Sequence, residues 1–177
     1  MSKRSMSKRR SIASAFALGI FVAGLVLAVS PVKAQTQAMP PPYGAPISLD
    51  AAKQIMAGAE AEADKNKWPV VIAIVDSGGN LVMLHRRDDA QLSAIQTAEG
   101  KARTALLFKR STKLLDEVIS GGGAGLRYLA LKDFLPLEGG IPILVDGKIV
   151  GAIGVSGVLS AQDTQIARAG IDALGKQ

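Results

Sequence analysis

Apolar and polar positions alternate along the chain with two periods, one typical of helices and the other of strands. Apolar residues recur every three to four positions over 49–63, which predicts a helix that Ser48 caps at its amino end. β-Branched residues dominate the apolar run 70–75, which predicts a central strand covered on both faces. The Gly-rich turn 77–80 and the return over 81–85 complete a predicted β-hairpin.

The second half of the chain repeats this order of helix and hairpin. An Ala-rich helical pattern covers about residues 91–108, and a shorter helix capped by its first residue follows over 111–118. Two apolar strands within 141–155 flank Asp146-Gly147, a dipeptide that strongly favours a hairpin turn. Ser160-x-x-Asp163 resembles a capping box and predicts the start of the last helix.

Hairpins separated by helices predict an α+β fold, with a mainly antiparallel sheet flanked by helices in one domain over 47–177. The small residues of 91–108 predict close packing, either against the sheet or against another subunit. The glycine cluster 121–125 lacks the Gly-Lys-Ser/Thr ending of a phosphate-binding loop, so it is interpreted as a flexible connection before one more helical turn at 126–131.

The first 34 residues resemble a bacterial export signal. A basic segment is followed by an uncharged apolar run over 12–29, and Val32-Lys33-Ala34 has the form of a signal peptidase site. Cleavage after Ala34 predicts a periplasmic or secreted protein, although an apolar run of this length also fits an uncleaved anchor helix. The Pro-rich residues 35–46 are predicted to form an extended tether ahead of the domain.

Charge and composition exclude several classes of protein. Six of the 21 basic residues, and none of the 15 acidic ones, lie within 1–34, so the remainder carries 15 of each sign. A nucleic-acid-binding face would need a basic excess in the domain itself, and we expect no nucleic-acid partner. Without Cys and with His85 as the single histidine, the chain has no disulfide, no thiolate metal site and no multi-histidine zinc site.

Several motifs in sequence order resemble those of the GlcG/HbpS family of haem-binding-protein-like domains. They are Val75-Asp-Ser-Gly-Gly-Asn-Leu81, Arg86-Arg-Asp-Asp-Ala90, Lys101-Ala-Arg-Thr-Ala105, Gly139-Gly-Ile-Pro-Ile143, Asp146-Gly147, Gly151-Ala-Ile-Gly-Val-Ser-Gly157 and Gln162-Asp163. The resemblance implies an antiparallel sheet between helices and assembly into homo-oligomers. It also implies haem binding, because some exported members bind haem and one of them works with a sensor kinase.

The resemblance implies a set of candidate residues for binding haem or a small acid. They are His85, Arg86, Asp88, Lys101, Thr104, Gly139 and Gly140. His85 is the candidate ligand for haem iron, because imidazole is a strong axial ligand, and Thr104 is a weaker alternative. Lys101 and Arg103 are candidates to pair with haem propionates, with Met83 and Phe108 as an apolar wall. The alternative for His85 is a surface histidine at a strand end.

Three functional hypotheses follow. The leading one is an exported small-ligand-binding protein, for haem or a related tetrapyrrole, that acts in sensing, transport or protection. The second is a periplasmic enzyme acting on a small organic acid or a xenobiotic, with backbone amides of Gly139 and Gly140 binding an oxyanion and His85 or Asp88 as base. The third is an interaction module in which Ala-rich helix faces build an oligomer. Whether the protein is an enzyme stays open.

Overall fold

The computed structural model describes residues 39–175, and the predicted signal peptide lies outside them. Within this range the chain forms four α-helices, one 3₁₀ helix and four strands. In chain order these are α1 (Leu49–Asn66), β1 (Val71–Asp76), β2 (Leu81–Arg86), α2 (Ser93–Phe108), α3 (Thr112–Ser120), the 3₁₀ helix (Gly123–Ala130), β3 (Gly140–Val145), β4 (Lys148–Ser156) and α4 (Ser160–Leu174). The predicted α+β fold is therefore confirmed.

The four strands form one antiparallel sheet in the order β2-β1-β4-β3. β1 lies in the middle, and its residues 71–75 are fully buried, as its continuous apolar run predicts. Asp146 and Gly147 connect β3 to β4 with φ angles of 49° and 72°. Two successive positive φ angles give the type I′ turn that matches the twist of a tight hairpin, which explains the Asp-Gly pair.

Helices cover both faces of the sheet. α1 and α4 pack against the face that carries Ile72, Ile74 and Ile153, and this layer holds the largest apolar core. α2 packs against the other face through a stripe of alanines. Ser48 caps α1 as predicted, because its Oγ accepts a hydrogen bond of 3.2 Å from the Ala51 backbone N–H.

Glycines in the strands let α2 approach the sheet until backbone meets backbone. A Cβ atom on Gly154 would lie 2.1 Å from the carbonyl oxygen of Ala98, and one on Gly140 would lie 2.3 Å from that of Lys101. Such distances are far inside van der Waals contact, so only glycine fits at these two positions. The alanines of α2 thus pack within the domain. Of the two packing arrangements predicted for this helix, the sheet is the one found.

Residues 42–47, which include the carboxyl end of the predicted tether, form a strap on the fold. Backbone N–H groups of Gly44 and Ile47 donate to Ile149 and Val150, and the N–H of Ile149 donates to Pro42, all within 2.9 Å. The Tyr43 hydroxyl also donates to the Leu106 carbonyl at 2.9 Å. The Pro-rich composition hides these partners, since they lie more than 60 residues away in sequence.

Two other predicted details differ from the structure. Ser160 is the first residue of α4 and Leu159 is its N-cap, where the Gln162 side chain accepts a hydrogen bond from the Leu159 N–H. The predicted flexible connection is shorter, since the 3₁₀ helix already begins at Gly123. Among residues 39–175, no helix is long and apolar enough to cross a membrane.

Candidate functional site

The predicted ligand-binding residues separate into two regions. Lys101, Thr104, Gly139 and Gly140 lie where α2 meets the start of β3, whereas His85, Arg86 and Asp88 lie where β2 ends beside α1. The first region is buried and the second is exposed. They therefore do not form one binding site.

Lys101 is the centre of the buried region. Although the resemblance made it a candidate to bind a propionate, Lys101 is only 2% exposed. Its Nζ donates to Asp163 Oδ2 at 2.7 Å and to the Val155 carbonyl at 2.9 Å. Burial raises the pKa of the Asp163 carboxyl above its ordinary value, and the hydrogen bond and charge of Lys101 offset only part of that rise. The pair joins α2 to the first turn of α4.

The Gly139-Gly140 segment makes room for this ion pair. Gly139 has φ +128°, and a Cβ there would lie 2.8 Å from the Val155 carbonyl oxygen and 2.9 Å from Lys101 Nζ. The Gly140 N–H donates to the Thr112 hydroxyl at 2.8 Å. This amide is already hydrogen bonded inside the fold, so an oxyanion would have to displace Thr112 to reach it.

Thr104 is also enclosed. Its side chain is fully buried, and its Oγ1 accepts a hydrogen bond of 2.9 Å from the Leu135 N–H. A haem iron can reach this hydroxyl only if the segment around Leu135 moves away. Phe108, predicted as part of the apolar wall, packs instead against the rings of Tyr128, edge-on, and Phe134, tilted, near the same segment.

The exposed region is an open groove between α1 and the end of β2, with a volume of about 740 Å³. We call it the His85 groove. Its lining combines half-buried apolar side chains with charged groups of both signs: Glu60, Asp64, Lys67, Trp68, Pro69, Leu84, His85, Arg86, Arg87, Asp88 and Asp89. The volume lies within the range of small-molecule sites in proteins. Met83, the other predicted wall residue, packs against the core instead.

A hydrogen bond and an ion pair join the walls of the His85 groove. The Glu60 Oε1 atom lies 2.8 Å from His85 Nδ1, and Asp64 pairs with Arg87. The spacing of the two acidic residues along α1 matches the spacing of their two partners along the extended chain. Four residues of a helix, from 60 to 64, rise about 6 Å, and two residues of an extended chain span about 6.6 Å. Carboxylates four apart on α1 therefore face His85, the penultimate residue of β2, and Arg87, the residue directly after this strand.

The contact with Glu60 determines which nitrogen of His85 can bind a metal. A carboxylate accepts hydrogen bonds, so in the neutral imidazole it places the proton on Nδ1 and leaves the lone pair on Nε2. Ligating histidines in metalloproteins are commonly held in this way by a carboxylate on the second nitrogen. The His85 side chain is 46% exposed, so it is open to a ligand in the groove.

Sequence reasoning missed Glu60, Asp64, Trp68 and Asp163. The signal for the first two was present, since they are acidic residues one turn apart on the polar side of a predicted helix. Asp163 was interpreted as part of a cap and of a family motif, and its pairing with Lys101 was not predicted. The one signal in the sequence was the position of this lysine within the alanine stripe of α2, which is the buried side of the helix. Within residues 39–175, no cluster of three or more His, Cys, Asp or Glu side chains is arranged to hold a metal ion.

The layered antiparallel sheet and its helices define a small α+β domain with the fold of two solved haem-related structures. HbpS aligns with a TM-score of 0.67 and 31% identity, over 73% of this chain and 90% of that one. The PduOC–haem complex also aligns with a TM-score of 0.67, at 32% identity over 72% of this chain and 94% of that one.

Sequence comparison identifies the family. A family model described as haem degrading protein HbpS-like matches residues 47–172, and the chain belongs to this family. Protein GlcG of Escherichia coli strain K12 is 42% identical over 110 residues, which are 62% of this chain and 81% of GlcG. The predicted GlcG/HbpS membership is confirmed.

Proposed function

We propose that this protein is an exported haem-binding protein, for haem or a related tetrapyrrole, which acts in sensing, transport or protection. His85 is the axial ligand to the iron in this proposal, and the His85 groove is the binding site. The observation that carries it is the 2.8 Å contact between Glu60 and His85 Nδ1, which leaves Nε2 free to bind iron. The haem in the PduOC structure and the name of the family model support the choice of ligand.

The residues around His85 fit the other parts of a haem. Trp68 and Leu84 supply apolar surface for the macrocycle. Arg86 and Lys67 lie in the same lining and are suited to pair with propionate carboxylates. Bound haem would supply an iron centre whose potential and ligand exchange the protein tunes through the axial imidazole. The groove is open, so we expect affinity to be modest compared with that of an enclosed haem pocket.

A haem titration followed at the Soret band tests this assignment. We expect a saturable spectral shift in the wild-type protein. His85→Gly should bind haem at least tenfold more weakly, because the variant lacks the imidazole ligand. Adding free imidazole to His85→Gly should restore the wild-type spectrum, since the chain has no other histidine. Arg168→Ala is a matched control, because Arg168 lies on α4 away from the groove.

Each other outcome has a distinct meaning. A saturable spectrum that survives in His85→Gly without imidazole would remove His85 and transfer the assignment to Thr104, with movement of the segment that covers it. The absence of any saturable shift in the wild-type protein would contradict haem binding as a whole. Export is tested separately, because intact mass of the protein recovered from a periplasmic extract should correspond to a chain that begins at Gln35.

A further inference from the structure

A second groove lies where the strap, the start of α1, the β3–β4 hairpin and the end of α4 meet. We call it the Asp172 groove, and its lining comes from residues 45–54, 144–150 and 171–175. Its volume of about 790 Å³ is within the range of small-molecule sites in proteins. None of the residues predicted to bind a ligand lines this groove, so the proposed function leaves it without a role.

The floor of the Asp172 groove is apolar and is held in place by the core. Ile47 is only 7% exposed and belongs to the largest core cluster. Val150, Ile171 and Leu174 are half-buried and pack against that cluster. Side chains fixed in this way form a binding surface before a ligand arrives, so little of the binding free energy is lost in ordering them.

The exposed apolar surface of residues 113–138 lacks such support. Leu115 is the buried residue of that segment, and the 3₁₀ helix within it contains none. Few contacts inside the domain therefore stabilise the conformation of the segment. Of these two apolar surfaces, the Asp172 groove is the one that is preformed.

The charged groups around the Asp172 groove have one sign. Asp50 and Asp172 contribute carboxylates, and among residues 39–175 no Lys, Arg or His side chain lines the groove. Asp50 does pair with Lys53, but the two atoms are 3.9 Å apart and both side chains are exposed, so water weakens the pair. The groove therefore favours a positively charged ligand, unlike the His85 groove with its charges of both signs.

Asp172 lies at an unfavourable place for a carboxylate. It is in the last turn of α4, which contains no basic residue. The last carbonyl groups of a helix carry a partial negative charge, so this end favours a cation over an anion. Within residues 39–175, no hydrogen bond or ion pair engages the Asp172 carboxylate. A cationic ligand would compensate for the charge of the side chain and for that of the helix end.

We propose that the Asp172 groove binds a small amphipathic amine. The ammonium group pairs with Asp172 and the carbonyl end of α4, and the apolar body of the amine covers the floor. A divalent metal ion would leave the floor uncovered, and no cluster of three metal-ligating side chains within 39–175 could hold one. Haem is also disfavoured here, because both carboxylates repel its propionates.

Amide NMR of the haem-free protein tests the proposal with three indole compounds of similar shape. Tryptamine carries an ammonium group, tryptophol carries a hydroxyl in its place, and indole-3-propionate carries a carboxylate. We expect tryptamine to shift the amides that line the Asp172 groove and to bind at least about fivefold more tightly than tryptophol. Indole-3-propionate should cause no saturable shift.

Asp172→Asn separates binding from folding. The variant should bind tryptamine at least about fivefold more weakly than the wild type and should bind tryptophol equally well. Its urea midpoint should equal or exceed the wild-type value, because a negative charge is removed from the carboxyl end of a helix. Asp133→Asn is the matched control, since it neutralises an exposed aspartate outside the groove and should leave tryptamine binding unchanged.

Four results would overturn the proposal. One is equal affinity for tryptamine and tryptophol, and another is a lower urea midpoint for Asp172→Asn, which would make this residue structural. The third is tryptamine-induced shifts confined to amides around His85. The fourth is a wild-type protein without saturable shifts. If Lys176→Gln then bound tryptamine, the occupant of the groove would be the chain's own lysine.

Discussion

The buried region around Lys101 and the exposed His85 groove both contain charged residues of the family motifs. In the first region these residues bind other parts of the fold, whereas in the second they leave hydrogen-bonding groups open to a ligand. Lys101 and Asp163 are nearly inaccessible and bind each other, and the Gly140 N–H binds Thr112. In the groove, Glu60 engages one nitrogen of His85 and leaves the other open to a ligand. A charged motif therefore points to a binding site only where the fold leaves some of its hydrogen-bonding capacity unused.

Breaking the buried pair should give the largest effect. Lys101→Met should destabilise the domain by about 3–5 kcal/mol, because it leaves the buried Asp163 carboxylate without its cationic partner. The urea midpoint of the full chain measures this change.

Two further variants show whether the pair itself is responsible. Lys53→Met removes an exposed ion pair with Asp50 and should cost less than about 1 kcal/mol. The double variant Lys101→Met with Asp163→Leu should recover a large part of the loss, because no charge is then left buried. A loss below about 1 kcal/mol for Lys101→Met alone would mean that the pair does not support the fold.

Asp76 is intermediate between the buried region and the His85 groove, because its side chain is partly exposed but accepts hydrogen bonds from within the fold. Its Oδ1 accepts from the N–H groups of Asn80 and Gly78 at 2.9 and 2.8 Å, and these hydrogen bonds, that of Asn80 most, lower the pKa of the carboxyl. A lowered folded-state pKa stabilises the domain at pH values above the unfolded pKa, and this contribution disappears as the pH falls through the folded pKa. Asp76→Asn should therefore cost a little stability at pH 7 and progressively less as the pH falls from the unfolded pKa through the lower folded pKa, as measured by urea midpoints at pH 7 and at an acidic pH. An equal cost at both pH values would assign the effect to geometry and not to charge.

His85 should give the smallest effect on stability. His85→Ala removes an exposed side chain whose hydrogen bond to Glu60 lies at the surface, so the unfolding free energy should change by no more than about 0.5 kcal/mol. Thermal and urea unfolding of the haem-free protein measure this value. A loss of several kcal/mol would place His85 with the structural residues and weaken its assignment as a ligand.

Local patterns predicted most of the fold, because they depend on residues close in sequence. The apolar run of β1, the Asp-Gly turn and the Ser48 cap each act within a few positions, and the structure confirms all three. The strap at Tyr43 was missed because its partner, the Leu106 carbonyl, lies 63 residues away. Contacts of this kind arise from tertiary packing, on which local periodicity carries no information.

The candidate site was only partly predictable for the same reason. His85 was found because it is the single imidazole, and its chemistry is independent of the fold. Glu60 becomes relevant only when α1 lies along β2, which the sequence does not specify. Lys101 was assigned to a ligand by its motif, whereas its burial follows from the alanines on either side of it in α2.

The glycine-mediated contact between α2 and the sheet also determines how the domain opens. Backbone packs directly on backbone at Gly140 and Gly154, so there are no intervening side chains whose rearrangement would let water between the two layers. Amide protons of β4 and the middle of α2 should exchange with solvent only through global unfolding, while those of 113–138 exchange through local opening. Proteases should accordingly cut first within 113–138, leaving the layer of α2 and β4 as the last part of the domain to lose its structure.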